Sequence, residues 1–211
     1  MPESMRPRVL ALDAMGVIYK NGDDVKDLLI PFISKSGGTE DTALIENQYH
    51  AASLGKISAE KFWQSVGLKD VNEDDYLATL SLTPGLKEFL PWAEDTFEQI
   101  LCLSNDLAKW SKKLRRKFEL EKHIPTWVIG GDVNLRKPAK EIYEIMIKQT
   151  GAEPHEIIFV DDRAENLHAA ADLGLKTIMF NAETNEQTND SLAFAGSFPE
   201  LQKTIQNMIE S

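Results

Sequence analysis

RKPAKEIYEIMIKQTGAEPHEIIFVDDRAENLHAAADLGLKTIMF, residues 136–180, carries the alternation that decides the fold. Ile142, Tyr143, Ile145, Met146 and Ile147 form one wide apolar face, which predicts a helix over 139–150, and Gly151 is its natural stop. Pro138 is expected in the first helical turn, which tolerates it. The apolar run 157–160 predicts a buried strand ending on two adjacent carboxylates, Asp161 and Asp162. A helical pattern over 165–173 and a further strand over 176–180 follow. Strand alternating with helix argues for a parallel sheet covered on both faces.

The same rhythm extends to both sides. Strands are predicted at 9–14, 99–103 and 126–129, a helix at 107–119, and a last amphipathic helix at about 199–209. Residues 183–190 read as a polar loop. Between Tyr19 and Pro84 the rhythm breaks: no strand-like run occurs, and helices are predicted at 25–34, 39–54, 58–66 and 74–80. Gly37-Gly38, Gly55 and Gly67 separate them, and Ser58 is placed as an N-cap. This interval reads as a small all-helical subdomain inserted after the first strand. There it would sit over the carboxyl ends of the strands, where open α/β sheets bind ligands, as a lid.

The chain of 211 residues is long enough for one medium domain with an insertion, and 42% hydrophobic with 27% charged residues is an ordinary globular composition. A net charge of −11 argues against unspecific attraction to nucleic acid or an anionic membrane. No apolar stretch approaches the roughly 18 residues of a membrane helix, and the start MPESMRPRV has no apolar signal core. Cys102 is the sole cysteine, so no intramolecular disulfide forms; a reducing compartment, by default the cytoplasm, is expected.

Polar residues collect at the predicted strand ends. Asp13 closes the first strand in LDAMGVIYK, Ser104-Asn105 close the second in LCLSND, Lys137 follows the third, and Asp161-Asp162 close the fourth. The fold would gather them into one cleft. Three crowded carboxylates call for a hard cation such as Mg²⁺ held by oxygen ligands. Lys137 supplies a point positive charge, and Ser104 with backbone N–H groups can hold an anion. Asp13 could then attack a phosphoryl centre.

At these residues the chain resembles the haloacid dehalogenase superfamily of hydrolases, most of whose members are phosphatases. The resemblance covers nearly the whole chain and is most specific over 136–180; YHAASLGKISAEKFW is similar to the helical cap of some members. It implies a doubly wound parallel α/β core over 1–19 and 84–211, with a small helical cap over 20–83. It implies Asp13 as nucleophile and metal ligand, Ser104 and Asn105 as substrate binders, and Lys137 as charge partner of the phosphoryl group. Asp161 is implied as a metal ligand and Asp162 as a carboxylate of the metal shell, with Asn166 bracing their loop. The implied cofactor is Mg²⁺ and the implied partner a small phosphorylated substrate; oligomeric state is left open.

Met15 departs from the pattern. Phosphatases of this superfamily carry Asp-x-Asp in the first motif, the second Asp acting as general acid and base. A thioether can do neither, and such help is typically worth roughly 10²–10⁴ in rate. The metal site is not affected, because this position binds the cation through its backbone carbonyl. Three readings follow: a phosphatase-type hydrolase whose leaving group needs little protonation or whose acid comes from the cap; a dehalogenase or a carbon–phosphorus hydrolase, the latter needing a cap lysine such as Lys56; or a regulatory protein that binds metal and phosphate without turnover.

Other residues receive structural readings. The basic run Lys112–Lys117 is expected to be a solvated helix face, and His50, His123, His155 and His168 lack metal-ligand spacing. Cys102 reads as a buried core residue. Gly37-Gly38 and Gly130-Gly131 match no nucleotide-binding fingerprint. Met15, Tyr19 and Lys20 are expected to line the approach to the cleft.

Overall fold

Six strands, β1 (Val9–Leu12), β2 (Gln99–Ser104), β3 (Thr126–Ile129), β4 (Ile157–Asp161), β5 (Lys176–Phe180) and β6 (Ala193–Ala195), make one parallel sheet in the computed structural model. The structure describes residues 7–183 and 192–210, so the polar stretch read at 183–190 lies, beyond its first residue, outside it. Strand order is β3-β2-β1-β4-β5-β6. The chain winds one way from β1 to β3 and the other way from β4 to β6. The order therefore reverses beside β1, and that reversal opens a crevice at the carboxyl ends of β1 and β4.

Side chains alternate along each strand with period two. Leu10, Leu12, Ile100, Cys102, Ile158 and Val160 feed the core on one face of the sheet. Val9, Ala11, Leu101, Leu103, Ile157 and Phe159 feed the core on the other. Every residue of β1 and β4 is buried, as a sheet covered on both faces requires. Helices α8 (Lys140–Thr150) and α9 (Ala164–Ala171) cover one face; α5 (Leu86–Thr96), α6 (Ala108–Lys117) and α10 (Phe198–Glu210) cover the other. The short α7 (Gly130–Val133) follows β3 directly.

Between β1 and β2 the chain forms α1 (Ile30–Lys35), α2 (Thr42–Ser53), α3 (Ala59–Ser65) and α4 (Glu73–Leu77). A π turn, Val25–Leu29, opens directly into α1. Pro31 accounts for it: the ring has no N–H to give and crowds the carbonyl four residues back, so the register widens ahead of it. Ser58 does cap α3, accepting from the Lys61 N–H at 3.2 Å. The inserted segment leaves and rejoins the core at one place, where Lys20 N donates to Ser81 O at 3.0 Å and Thr83 N to Ile18 O at 3.0 Å.

Some expectations need correcting. Pro138 precedes the helix, which begins at Lys140. Helix α5 was not expected; it carries Pro91 on its exposed side, where water can satisfy the carbonyl that the missing N–H leaves. The basic run is not simply solvated. Lys113 pairs with Glu73 at 2.7 Å and Asp74 at 2.7 Å, and Lys117 donates to the Leu77 carbonyl at 2.8 Å, so α6 grips α4. Tyr19 is buried in the core rather than lining any approach.

The inserted helices share one continuous core with the sheet: Leu29, Ile45, Phe62 and Tyr76 belong to the same cluster as Leu10 and Leu12. Trp110 of α6 stands in the middle, with ring centroids 5.0 Å from Tyr76, 5.4 Å from Trp63 and 5.5 Å from Phe62. Its Nε1 donates to Glu73 Oε2 at 3.1 Å. Trp110→Ala should destabilise the protein by about 3–5 kcal/mol, from lost burial plus cavity. Urea unfolding would register this as a lower midpoint; a cost below about 1 kcal/mol would mean that the two parts do not depend on this contact.

Candidate active site

Each residue expected at a strand end is held by the element before it. Asp13 follows β1, and its N–H donates to the Val160 carbonyl of the neighbouring strand at 2.9 Å. Ser104 is the buried last residue of β2, and Asp161 the fully buried last residue of β4. Lys137, only 4% exposed, enters from the loop before α8. Its Nζ lies 2.7 Å from Asp13 Oδ1 and 2.6 Å from Asp161 Oδ2.

Lys137 is itself fixed from behind. The Asn105 side-chain oxygen accepts from Lys137 N at 2.7 Å, and its amide donates to Lys137 O at 2.9 Å. Asn105 was expected to bind substrate; both ends of its amide are engaged by the Lys137 backbone, so this side chain positions the lysine. Asp13 Oδ1 also accepts from the Ala14 N–H at 2.6 Å. Asp13 Oδ2 makes no hydrogen bond among the described residues, which leaves it to the cleft.

The paired acids differ sharply. Asp161 is saturated: Oδ1 accepts from Arg163 N at 2.8 Å and Asn166 Nδ2 at 3.0 Å, while Oδ2 takes Lys137. Asn166 braces this loop as expected of it, and its own carbonyl is held by the Tyr143 hydroxyl at 2.9 Å. Asp162 has a buried Oδ1 with no hydrogen-bond partner among the described residues. Its carboxylate sits in a cradle of two glycines: a Cβ on Gly16 would come within 2.6 Å of it, and one on Gly22 would collide with Oδ2 outright. Gly16 also adopts φ +82°, open to glycine at little cost.

Ligand oxygens of Asp13, Asp161 and Asp162 all lie within 4.8 Å of one another. With Lys137, these groups leave two negative charges in a buried space. A divalent cation with oxygen ligands matches that balance, and the partnerless Asp162 oxygen is a donor suited to it. Met15, half-buried, lines the same cleft.

The cleft, about 270 Å³, is walled on one side by Asp13, Ser104, Asn105, Lys137 and Asn166 and on the other by the inserted segment. Sequence reasoning missed most of that second wall: Asp23, Asp24, Glu46 and Tyr49, together with Arg136 and Arg163 from the core. His50 stands at the exposed rim, the surface position expected of it. The only signal for the two arginines was adjacency, since they flank Lys137 and Asp162 in sequence. Lys20 and Lys56 are exposed and line no part of the cleft.

The sequence profile of one family, haloacid dehalogenase-like hydrolase, matches residues 41–180. A bifunctional epoxide hydrolase 2 of Sus scrofa is 29% identical over 99 residues, 46% of this chain and 18% of that protein. A chloroplast flavin mononucleotide hydrolase 1 of Arabidopsis thaliana is 29% identical over 137 residues, 64% of this chain and 54% of that protein. The matches thus span well under two thirds of these relatives' own length. A HAD family enzyme of Bacteroides thetaiotaomicron, solved with magnesium and inorganic phosphate, superposes with a TM-score of 0.68 at 19% identity, over 87% of this chain and 98% of that one. At that identity the likeness establishes the fold. Among the described residues no helix is long and apolar enough to cross a membrane.

Burial pushes Asp13 up to about 7 against the opposing pull of Lys137, with the charge of Asp161 adding to the rise. Burial likewise pushes Asp162 to about 8, helped by the charges of Asp13 and Asp161. An acid whose pKa is higher folded than unfolded binds its proton more tightly when folded. Unfolding is therefore increasingly favoured as pH rises from the ordinary carboxylate range to about 8. Metal-free protein should lose stability across that window, and Mg²⁺ should raise the melting temperature more at pH 8 than at pH 5. At one hundred times Kd the gain is about 2.7 kcal/mol. Asp162→Asn should remove most of it, and a melting temperature indifferent to Mg²⁺ at pH 8 would reject a metal site here.

Proposed function

Because the chain belongs to the haloacid dehalogenase-like hydrolases, we propose that it hydrolyses a small phosphorylated molecule through an aspartyl-phosphate on Asp13. The contact of Lys137 Nζ with both Asp13 and Asp161 is the observation that carries this reading. It pins one oxygen of Asp13 and leaves Oδ2 as the nucleophile. It also sets a buried positive charge beside the place where phosphoryl oxygens would gather charge.

In this reading Asp13 Oδ2 attacks phosphorus while Lys137 and the Ser104 hydroxyl hold the phosphoryl oxygens. Asp13, Asp162 and the backbone carbonyl of Met15 would hold Mg²⁺, with Asp161 completing the cluster and orienting Lys137. When bound, the cation supplies charge neutralisation to the phosphoryl group and to the acids around it. Residues 20–83 act as a cap that walls the cleft and selects the substrate, and a volume near 270 Å³ favours small molecules. The Arabidopsis relative's name, a hydrolase of a phosphate monoester, supports the same class of reaction.

The dehalogenase reading has less support, since displacing a halide gives the clustered Asp161 and Asp162 carboxylates no task. A carbon–phosphorus hydrolase would want a free cap lysine in the cleft; Lys56 is exposed outside it, and Lys26, which does line it, is paired with Asp23 at 3.0 Å. Met15 favours one second reading, a protein that binds metal and phosphate without turnover.

One experiment separates them. With Mg²⁺, wild-type protein should hydrolyse members of a panel of small phosphomonoesters and acyl phosphates, and Asp13→Asn should fall to background. Beryllium fluoride with Mg²⁺ should raise the melting temperature of the wild type and not of Asp13→Asn. Phosphate binding with no turnover of any panel member would establish the regulatory reading; turnover that survives Asp13→Asn would remove Asp13 as nucleophile.

A further inference from the structure

A phosphomonoester with a poor leaving group needs a proton at the departing oxygen, and Met15 has none to give. The wall opposite Asp13 carries three further carboxylates. Asp23 is engaged by Lys26 at 3.0 Å, and Glu46 is exposed to solvent. Asp24 differs from both. It is 5% exposed, lines the same cleft as Asp13, Ser104 and Lys137, and has no cation within 4 Å among the described residues. Its Oδ2 accepts from the Tyr76 hydroxyl at 3.2 Å, which orients the carboxyl group.

Resting on the phosphatase reading, we propose that Asp24 is the general acid and base of this site, protonating the leaving oxygen and then activating water. In the first half, Asp13 Oδ2 bonds to phosphorus and the bond from phosphorus to the ester oxygen breaks. That oxygen takes the electron pair and a proton from the Asp24 carboxyl, so the alcohol departs and Asp24 is left ionised. In the second half, Asp24 takes a proton from a water molecule as its oxygen bonds to phosphorus. The bond to Asp13 breaks, its electron pair returns to the Asp13 carboxylate, and inorganic phosphate leaves with Asp24 protonated again.

The surroundings of Asp24 suit both roles. Tyr49, Tyr76, Asp23, Asp106, Arg136 and Arg163 face it from the segments packed around it. Burial dominates, raising its carboxyl to about 6, and the Tyr76 hydrogen bond opposes that rise. An acid in that range can hold a proton and yield it near neutral pH.

Asp24→Asn, with folding verified by its melting curve, should lower kcat/KM on an alkyl phosphate by roughly 10²–10⁴. The loss should be much smaller on a nitrophenyl phosphate and nearly absent on acetyl phosphate, whose leaving groups need little protonation. Wild-type kcat/KM on the alkyl ester should fall as pH rises past about 6, and Asp24→Asn should lack that limb. Met15→Asp, placed in the Asp24→Asn background, should restore activity on the alkyl ester. If Asp24→Asn does not fold, Tyr76→Phe serves instead: removing the hydrogen bond should move the limb to higher pH. An equal loss on all three substrates, or a limb that Tyr76→Phe leaves in place, overturns the proposal while Asp13 keeps its role. Absence of wild-type turnover on every ester overturns both.

Discussion

The ammonium of Lys137, buried between the carboxylates of Asp13 and Asp161, is the contact on which the rest of the site depends. Taking these three charges out of water costs several kcal/mol per ion, and such a cluster persists only where geometry and further hydrogen bonds compensate. Here they do so from every side. Asn105 fixes the lysine backbone, Ala14 N–H and Arg163 N–H hold one oxygen of each acid, and Asn166 holds Asp161. The ring of Phe159 lies 5.3 Å from Nζ, adding a cation–π face. Because β1, β4 and the loop before α8 each contribute one member, the site assembles only when the sheet does.

Sheet topology explains why those members meet. The reversal of strand order beside β1 brings the carboxyl ends of β1 and β4 together without a crossing connection. Parallel pairing then sets Leu12 against Val160, so the acids that follow emerge at one level. The apolar residues of β1 and β4 bury both faces and leave the polar groups no exit except the strand ends. Fold and chemistry are thus two results of one pattern, an apolar run terminated by a carboxylate.

That pattern is why much of the molecule could be read from its residues. The apolar runs marked β1 through β5, and the terminating polar residues marked one wall of the cleft. Periodicity is silent on what depends on tertiary contact. β6 has three residues, too few to show a period, and α5 carries an internal proline, Pro91, which argues against a helix. Neighbouring acids such as Asp161 and Asp162 look alike in sequence, yet one is saturated by Lys137, Asn166 and Arg163 N–H while the other has an oxygen with no hydrogen bond among the described residues. Tyr19 was misread because a residue just past a strand end can turn back into the core as readily as toward solvent. Asp24, Arg136 and Arg163 were invisible as cleft residues because the second wall exists only after the inserted helices dock.

The docking of those helices and the placing of Lys137 share one stretch of backbone. Asn134 Nδ2 donates to the Leu54 carbonyl at 2.9 Å, and Arg136 donates to Ser53 Oγ and to the Asn105 carbonyl. Both thereby engage the C-terminal end of α2, where unsatisfied carbonyls favour a nearby cation. The next residue is Lys137, whose backbone Asn105 holds. A shift of α2 cannot be absorbed within residues 134–137 without moving the lysine or breaking these bonds. Together with the Trp110 cluster and the ion pairs from α6, this makes the inserted segment a fixed part of the site's geometry. The wall that would select a ligand and the charge that would act on it are therefore set by the same few bonds.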